Sequence, residues 1–257
     1  MTTSVEDPVV EALPAHLGVY VYGVAPAGSV DLAGTTGLDG AEPETVEHGG
    51  LAAVVGVIEV ERPPGRRRDV VAHSDVLDAL AGSGPVVPVQ FGSVLPDRES
   101  VVSEFLAPNE EHFAALLENL TGRRQFNVRA RYREDAVLAE VVAEDREIAD
   151  LRARTRDLPE EAGYADRVRL GELVARALEA KREQDSFAVL DAVLPHVTDH
   201  VSRPGGGVDH LLDLAVLVDE ERQERFEQAL EAVAEAVHER VRLQLVGPLA
   251  PYDFVGG

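Results

Sequence analysis

His210-Leu211-Leu212-Asp213-Leu214-Ala215-Val216-Leu217-Val218 is a nearly unbroken apolar run of strand length. Phe226, Leu230, Val233 and Val237 then recur at helical spacing between Glu220 and Arg240, and Val241-Arg242-Leu243-Gln244-Leu245-Val246 alternates apolar and polar residues. A continuous run predicts a buried strand, a period near 3.6 a helix and strict alternation a half-solvated strand. The chain therefore reads strand, helix, strand over 210–246. Just upstream, Arg203-Pro204-Gly205-Gly206-Gly207 is a loop. Before that, Val137, Leu138, Val141, Val142, Ile148 and Leu151 mark one long amphipathic helix, turned at Leu158-Pro159 to Gly163. A second helical stretch runs from Val168 to about His200 and is bent at Pro195. Together they predict a helical hairpin over about 136–200. Gln125 to Tyr132 alternates and opens this half as a strand. The order predicts a small sheet with a helical hairpin inserted into a ferredoxin-like split β-α-β unit.

The first half reads as strand, strand, helix, strand, helix. Gly18 to Val24 and Leu51 to Val60 are strands, and the Gly-rich stretch between them is mostly loop with a short strand near Thr45–Glu47. Asp69 is a candidate N-cap for a helix that Gly82 stops. Val86 to Leu95 is a strand carrying Pro88, which places it at a sheet edge or a bulge. A helix begins near Glu99, is broken at Pro108 and resumes from Glu110 to a C-cap at Gly122. Neither half alternates strictly enough for a doubly wound sheet. The fold class expected is α+β: two small sheet-plus-helix modules, 1–122 and 123–257.

Composition narrows the function classes. The 257 residues are 45% hydrophobic and 28% charged, a globular balance. Without cysteine there is no disulfide, thiolate metal site or thiol nucleophile. Residues 1–16 read as a loose leader with neither the basic nor the apolar region of a signal peptide, and no apolar run reaches membrane-spanning length. The expected location is the cytoplasm. Net charge is −23, from 47 acids against 24 bases, and Lys181 is the only lysine. Such a surface repels phosphate backbones, so nucleic-acid binding is disfavoured.

Sites of known chemistry are near misses. Gly34-Thr35-Thr36-Gly37 and Gly205-Gly206-Gly207 lack the pattern of a phosphate loop. His196 and His200 have the spacing of two metal ligands on one helical face, with Asp199 and His210 within reach of the same site, but Pro195 disturbs that helix. His73-Ser74-Asp75 holds triad residue types in one helical stretch, where neighbouring side chains diverge. A structural His73, bonded near the Pro88–Phe91 strand, is the better reading. Arg123, Arg124, Arg129, Arg131 and Arg133 form a basic strand face, read as solvated and paired with acids; the alternative is a surface for an acidic partner. No catalytic, cofactor or metal residue is assigned.

The tail remains: Gly247-Pro248-Leu249-Ala250-Pro251-Tyr252-Asp253-Phe254-Val255. Proline withdraws backbone donors, so this segment is expected to leave the sheet as a rigid extended piece, with Tyr252 and Phe254 on one side. It pins onto its own domain or docks a partner. Gly-Pro-x-x-Pro-Tyr-x-Phe after an apolar strand resembles the C-terminal signature of the GvpF/GvpL family of gas vesicle accessory proteins. Three further blocks agree in order: Gly18-Val19-Tyr20-Val21-Tyr22-Gly23-Val24, the helix bearing His73, and Pro85-Val86-Val87-Pro88-Val89-Gln90-Phe91-Gly92-Ser93-Val94. Gln90 departs from the basic residue that the family pattern leads one to expect.

The resemblance implies a non-enzymatic accessory or minor structural protein that binds the hydrophobic shell protein and, beyond it, other gas vesicle accessory proteins, without membrane or nucleic acid. The residues expected to bind partners are Pro88, Phe91, Gly92, Pro248, Pro251, Tyr252 and Phe254, with Phe91 buried and Gly92 in a turn. Two readings stand beside it: a small-molecule-binding or enzymatic α+β protein, and an oligomerisation module built on the 136–200 hairpin.

Overall fold

The structure, a computed structural model, describes residue 14 and residues 16–159, 161–207 and 209–256. Apart from Pro14 and His16, the leader expected over 1–16 lies outside them. The chain is α+β and separates into two compact units. One holds the described residues up to Gln125 together with those from Pro248 onward; the other is Phe126–Gly247. The expected division gave this tail to the second module, whereas Ala250, Tyr252 and Asp253 bond within the first unit, as shown below.

The first unit is built on β1 (Leu17–Pro26), β2 (Glu44–His48) and β3 (Leu51–Glu59). All three are antiparallel, in the order β2-β3-β1. Gly49 takes φ +58° in the two-residue turn from β2 to β3, which glycine adopts without steric cost. α1 (Arg67–Ser83) and, further on, α3 (Glu110–Leu120) both pack against β1. Covered so, β1 is buried almost end to end and reads as a continuous apolar run rather than an alternating one. Val76, Leu77 and Leu80 of α1 meet Tyr20, Tyr22, Val54 and Ile58 of the sheet. Asp69 is not the N-cap. It lies inside the first turn, where its carboxylate accepts the N–H groups of Gly65 (3.0 Å) and Arg66 (2.8 Å).

The strand expected over Val86–Leu95 is split. β4 (Val87–Pro88) and β5 (Val94–Leu95) both pair with the outer edge of β1, and a turn separates them. Pro88 sits at this edge, where a missing N–H costs no ladder bond. Gly92 in the turn has φ +93°. Helical turns then follow in series: α2 (Arg98–Ser100), a wider π-type turn (Val101–Leu106) and a 3-10 turn (Ala107–Asn109) around Pro108.

The second unit holds a four-stranded sheet ordered β7-β8-β6-β9. Its elements are β6 (Arg123–Tyr132), α4 (Glu134–Glu144), α5 (Arg146–Thr155), α6 (Tyr164–Val193), β7 (Asp199–Ser202), β8 (His210–Asp219), α7 (Gln223–Val237) and β9 (Val241–Leu249). Phe126, Val128 and Ala130 of β6 share a core with Leu214 and Val216 of β8, Phe226 and Leu230 of α7, and Val189 and Val193 of α6. Three expectations are corrected here. The long helix from 136 breaks at Asp145, whose carboxylate accepts from Glu147 N–H (2.8 Å) and Ile148 N–H (3.2 Å) and so caps a new helix. The helix expected to reach His200 ends at Val193, and Asp199–Ser202 is instead an edge strand antiparallel to β8. β9 runs on through Pro248, tolerated because β9 is also an edge. Helices and sheet are further tied at Asp185, 7% exposed, which accepts two bonds from Arg240 (2.6 and 2.8 Å) and one from the Tyr132 hydroxyl (2.7 Å).

Candidate functional site

The four sequence blocks singled out above meet at one imidazole in the first unit. His73 projects from α1 and is 2% exposed. Its Nδ1 lies 2.8 Å from the Tyr20 hydroxyl of β1, and its Nε2 lies 2.7 Å from the Tyr252 hydroxyl of the tail. The Tyr20 oxygen already accepts the Gly92 N–H at 3.2 Å. Either neutral tautomer satisfies both contacts, one phenol donating to the bare ring nitrogen and the other accepting the ring N–H. Rings pack around these bonds. Tyr22 stacks on His73 at 5.8 Å, and Phe91 meets it edge-on at 5.4 Å and Tyr20 edge-on at 6.3 Å. Tyr22 also accepts the Leu38 N–H at 2.8 Å, tying in the Gly-rich loop.

Burial sets the protonation of this cluster. It pushes His73 down from 6.5 to about 4, with the Val89 backbone opposing more weakly. Burial also raises Tyr20 to about 12, against the lowering effect of the Gly92 N–H. Tyr252 is raised as well, by burial first and then by the neighbouring Tyr20 and Asp78. At neutral pH the cluster is uncharged, and its hydrogen bonds join neutral partners around an imidazole that is itself shut off from water.

The tail is held at three further points. Ala250 N–H donates to Asp78 Oδ1 (3.1 Å), and burial raises the pKa of that carboxyl. Gln125, 2% exposed, uses both ends of its amide: Nε2–H donates to Asp253 Oδ2 (2.7 Å) and Oε1 accepts the Asp253 N–H (3.3 Å). Ala250 and Pro251 are buried. Residues 252–254 form a 3-10 turn, so the expected rigid extended tail is corrected. In such a turn Tyr252 and Phe254 do not share one side. Tyr252 turns its hydroxyl inward to His73 while the residue stays 43% exposed, and Phe254 is half-buried.

The other expected partner-binding positions divide likewise. Pro88 is buried under its own unit, Phe91 and Pro248 are half-buried, and Gly92 is exposed. Phe91 was expected to be core; it lies instead at the core's margin, because the turn carrying it stands outside the β1 edge. Nothing lies within 4 Å of where a Gly92 Cβ would be, so its backbone angle alone calls for glycine. Asp78 and Gln125 are the residues that sequence reasoning missed. Asp78 reads as an ordinary helical acid and Gln125 as the first residue of a strand, and neither spacing foretells a bond to the tail.

The remaining near misses stay apart. His196 belongs to a 3-10 turn and His200 to β7, so the helical ligand pair does not exist. Among the described residues, no group of three or more His, Asp or Glu is placed to hold a metal ion. None of the described helices is long and apolar enough to cross a membrane. Of the basic strand, Arg129 lies 3.6 Å from Asp213 and Arg133 donates to the His238 carbonyl.

Fold and site thus define a class: a two-unit α+β protein whose C-terminal tail closes over an aromatic-caged histidine. A family model described as "Gas vesicle synthesis protein GvpL/GvpF" matches residues 18–256, a span that includes every residue of the cluster. The chain belongs to this GvpL/GvpF family of gas vesicle proteins. Gas vesicle protein F of a Streptomyces species is 34% identical over 245 residues, covering 93% of this chain and all of the relative. Gas vesicle protein L of the same strain is 29% identical over 266 residues, covering 92% of each. The crystal structure of GvpF from Anabaena superposes with a TM-score of 0.80 at 24% identity, covering 93% of this chain and 98% of that one. GvpF from Microcystis aeruginosa gives 0.75 at 20% identity, covering 93% and 99%. These two likenesses concern the fold.

Proposed function

We propose that this chain is a non-enzymatic accessory or minor structural protein of gas vesicle assembly, acting in the cytoplasm, that binds the hydrophobic shell protein. The observation that carries the reading is the direction of the chemistry in the His73 cluster. Both imidazole nitrogens are engaged by phenols of the same unit, and the imidazole is neutral. The arrangement holds a tail and presents rings; it does not aim a base at a substrate. Tyr252 and Phe91 both contact His73 and both keep part of their surface in solvent. They offer an apolar foothold on an otherwise strongly acidic chain, and the charge keeps the escort soluble while it holds an aggregation-prone partner. The residues proposed to meet the shell protein are therefore Phe91, Gly92, Tyr252 and Phe254, with Pro88, Pro248 and Pro251 setting the backbone beneath them.

Co-expression tests the reading. Shell protein produced with this chain should remain in the supernatant after high-speed centrifugation and pellet when produced alone. A shell protein that pellets equally in both cases would remove the escort function.

A further inference from the structure

The tail is bound in the way a recognised peptide is bound. Within the first unit, a backbone N–H, a side-chain carboxylate, a backbone N–H three residues earlier and a phenol hydroxyl are read by three side chains. Gln125 reads Asp253 twice, Asp78 reads the Ala250 N–H and His73 reads Tyr252. Two of these readers, His73 and Gln125, are buried to 2% exposure, and two apolar tail residues, Ala250 and Pro251, fill the space between the polar contacts. Polar reading of a short segment around buried apolar residues is how a pocketed groove gains specificity for a peptide. Gly247, in β9 just before the tail, takes φ +150°, a value side-chain-bearing residues rarely adopt.

We propose that the first unit carries a peptide-binding site for the Pro-x-x-Pro-Tyr-x-Phe tail, filled in cis by the chain's own residues 248–254 and able to take the same tail from a second copy. The occupant is fixed by the contacts themselves, since an exchanged tail remakes each of them with no new surface to be designed. The cis tail wins in dilute solution because its tether gives it an effective concentration on the order of millimolar. Exchange then depends on local crowding of copies, and the acidic charge of each chain opposes it at low salt.

The test uses the full chain and a labelled synthetic peptide spanning residues 247–257. The Tyr252→Ala variant, which loses its own bond to His73, should bind the peptide saturably at one per chain by fluorescence anisotropy. Wild-type chain should bind at least tenfold more weakly, because its own tail competes. Adding His73→Ala to Tyr252→Ala should abolish the gain. Asp253→Ala, which weakens the cis tail at a half-buried position, serves as a second host and should also bind better than wild type. Equal binding by wild type and both hosts, or binding indifferent to His73, would overturn the proposal, and so would no binding to either host while circular dichroism shows both folded.

Discussion

Replacing His73 with glutamine removes the titration at the centre of the site while keeping a side chain that can hydrogen-bond. The unfolded imidazole has a pKa of 6.5, and in the folded unit burial lowers it to about 4. Between these values the unfolded chain binds the proton and the folded chain does not. Stability therefore rises with pH across this window, is fully present above 6.5, and is lost as pH falls toward 4. Each pKa unit corresponds to about 1.4 kcal/mol, so the contribution at neutral pH is at most about 3 kcal/mol. Asp78, raised by burial, acts with the opposite sign in an overlapping range, because its folded form holds a proton the unfolded form has released. The informative quantity is consequently a difference. Urea melts at pH 4.5, 5.5, 6.5 and 7.5 should show wild type losing stability relative to His73→Gln as pH falls, by about 2 kcal/mol over the series. Parallel curves for the two proteins would mean that the imidazole is not buried neutral, and the hydrogen-bond assignment Tyr20 to His73 to Tyr252 would fall with it.

Other outcomes follow from the same contacts. Phe91→Ala should cost about 1–2 kcal/mol in denaturant melts, below the roughly 3–5 of a fully buried phenylalanine, since the ring sits at the core's margin; a loss above about 4 would place it inside. Arg240→Ala strands Asp185 and should cost about 3–5 kcal/mol, whereas Tyr132→Phe, which leaves the ion pair intact, should cost about 1; calorimetry showing the two equal would mean that the ion pair adds nothing. Gly92→Ala should lose about 1–2 kcal/mol for its left-handed backbone, despite open space around the new methyl, and a neutral result would argue against that angle. The double substitution His196→Ala and His200→Ala should stay within about 0.5 kcal/mol and leave zinc content below about 0.1 equivalents, because the two side chains stand on different elements; stoichiometric zinc lost on that substitution would restore a metal site.

Much of the fold was legible because period and burial coincide. The apolar run of β8 and the helical spacing of α7 each match their surroundings and fall within a few residues of their expected place, whereas β6, expected to be half-solvated, is buried on both faces from Gln125 to Val128. What failed did so where one residue outweighed the period. Asp145 offers a carboxylate to two free N–H groups and splits a helix whose apolar spacing continues across it. Past Pro195 the chain keeps helix-compatible residues, yet Asp199–Ser202 gains a partner in β8 that only the folded sheet supplies. Pro88 argued correctly for an edge, but the turn at Gly92 that divides the strand needed the geometry of β1 to show it. At the site, Tyr20, His73, Phe91 and Tyr252 each lay within a block that stood out in sequence. Their convergence did not, since residues 53 and 179 positions apart are joined here by single hydrogen bonds. Asp78 and Gln125 gave no signal, because a carboxylate or amide that reads a backbone N–H has no spacing rule.

The central claim is that the aromatic margin of the His73 cluster is the surface that meets the shell protein. The most direct measurement is retention of untagged shell protein on the tagged full-length chain, compared among wild type, Tyr252→Phe, and Phe91→Ser with Tyr252→Ser, with each variant first shown to be folded by its melting curve. Wild type should retain the shell protein through a high-salt wash. Tyr252→Phe, which keeps the ring and loses only the hydroxyl, should retain most of it, and the double serine variant should lose at least tenfold. Full retention by a folded double serine variant would contradict the account and move the binding surface away from this cluster.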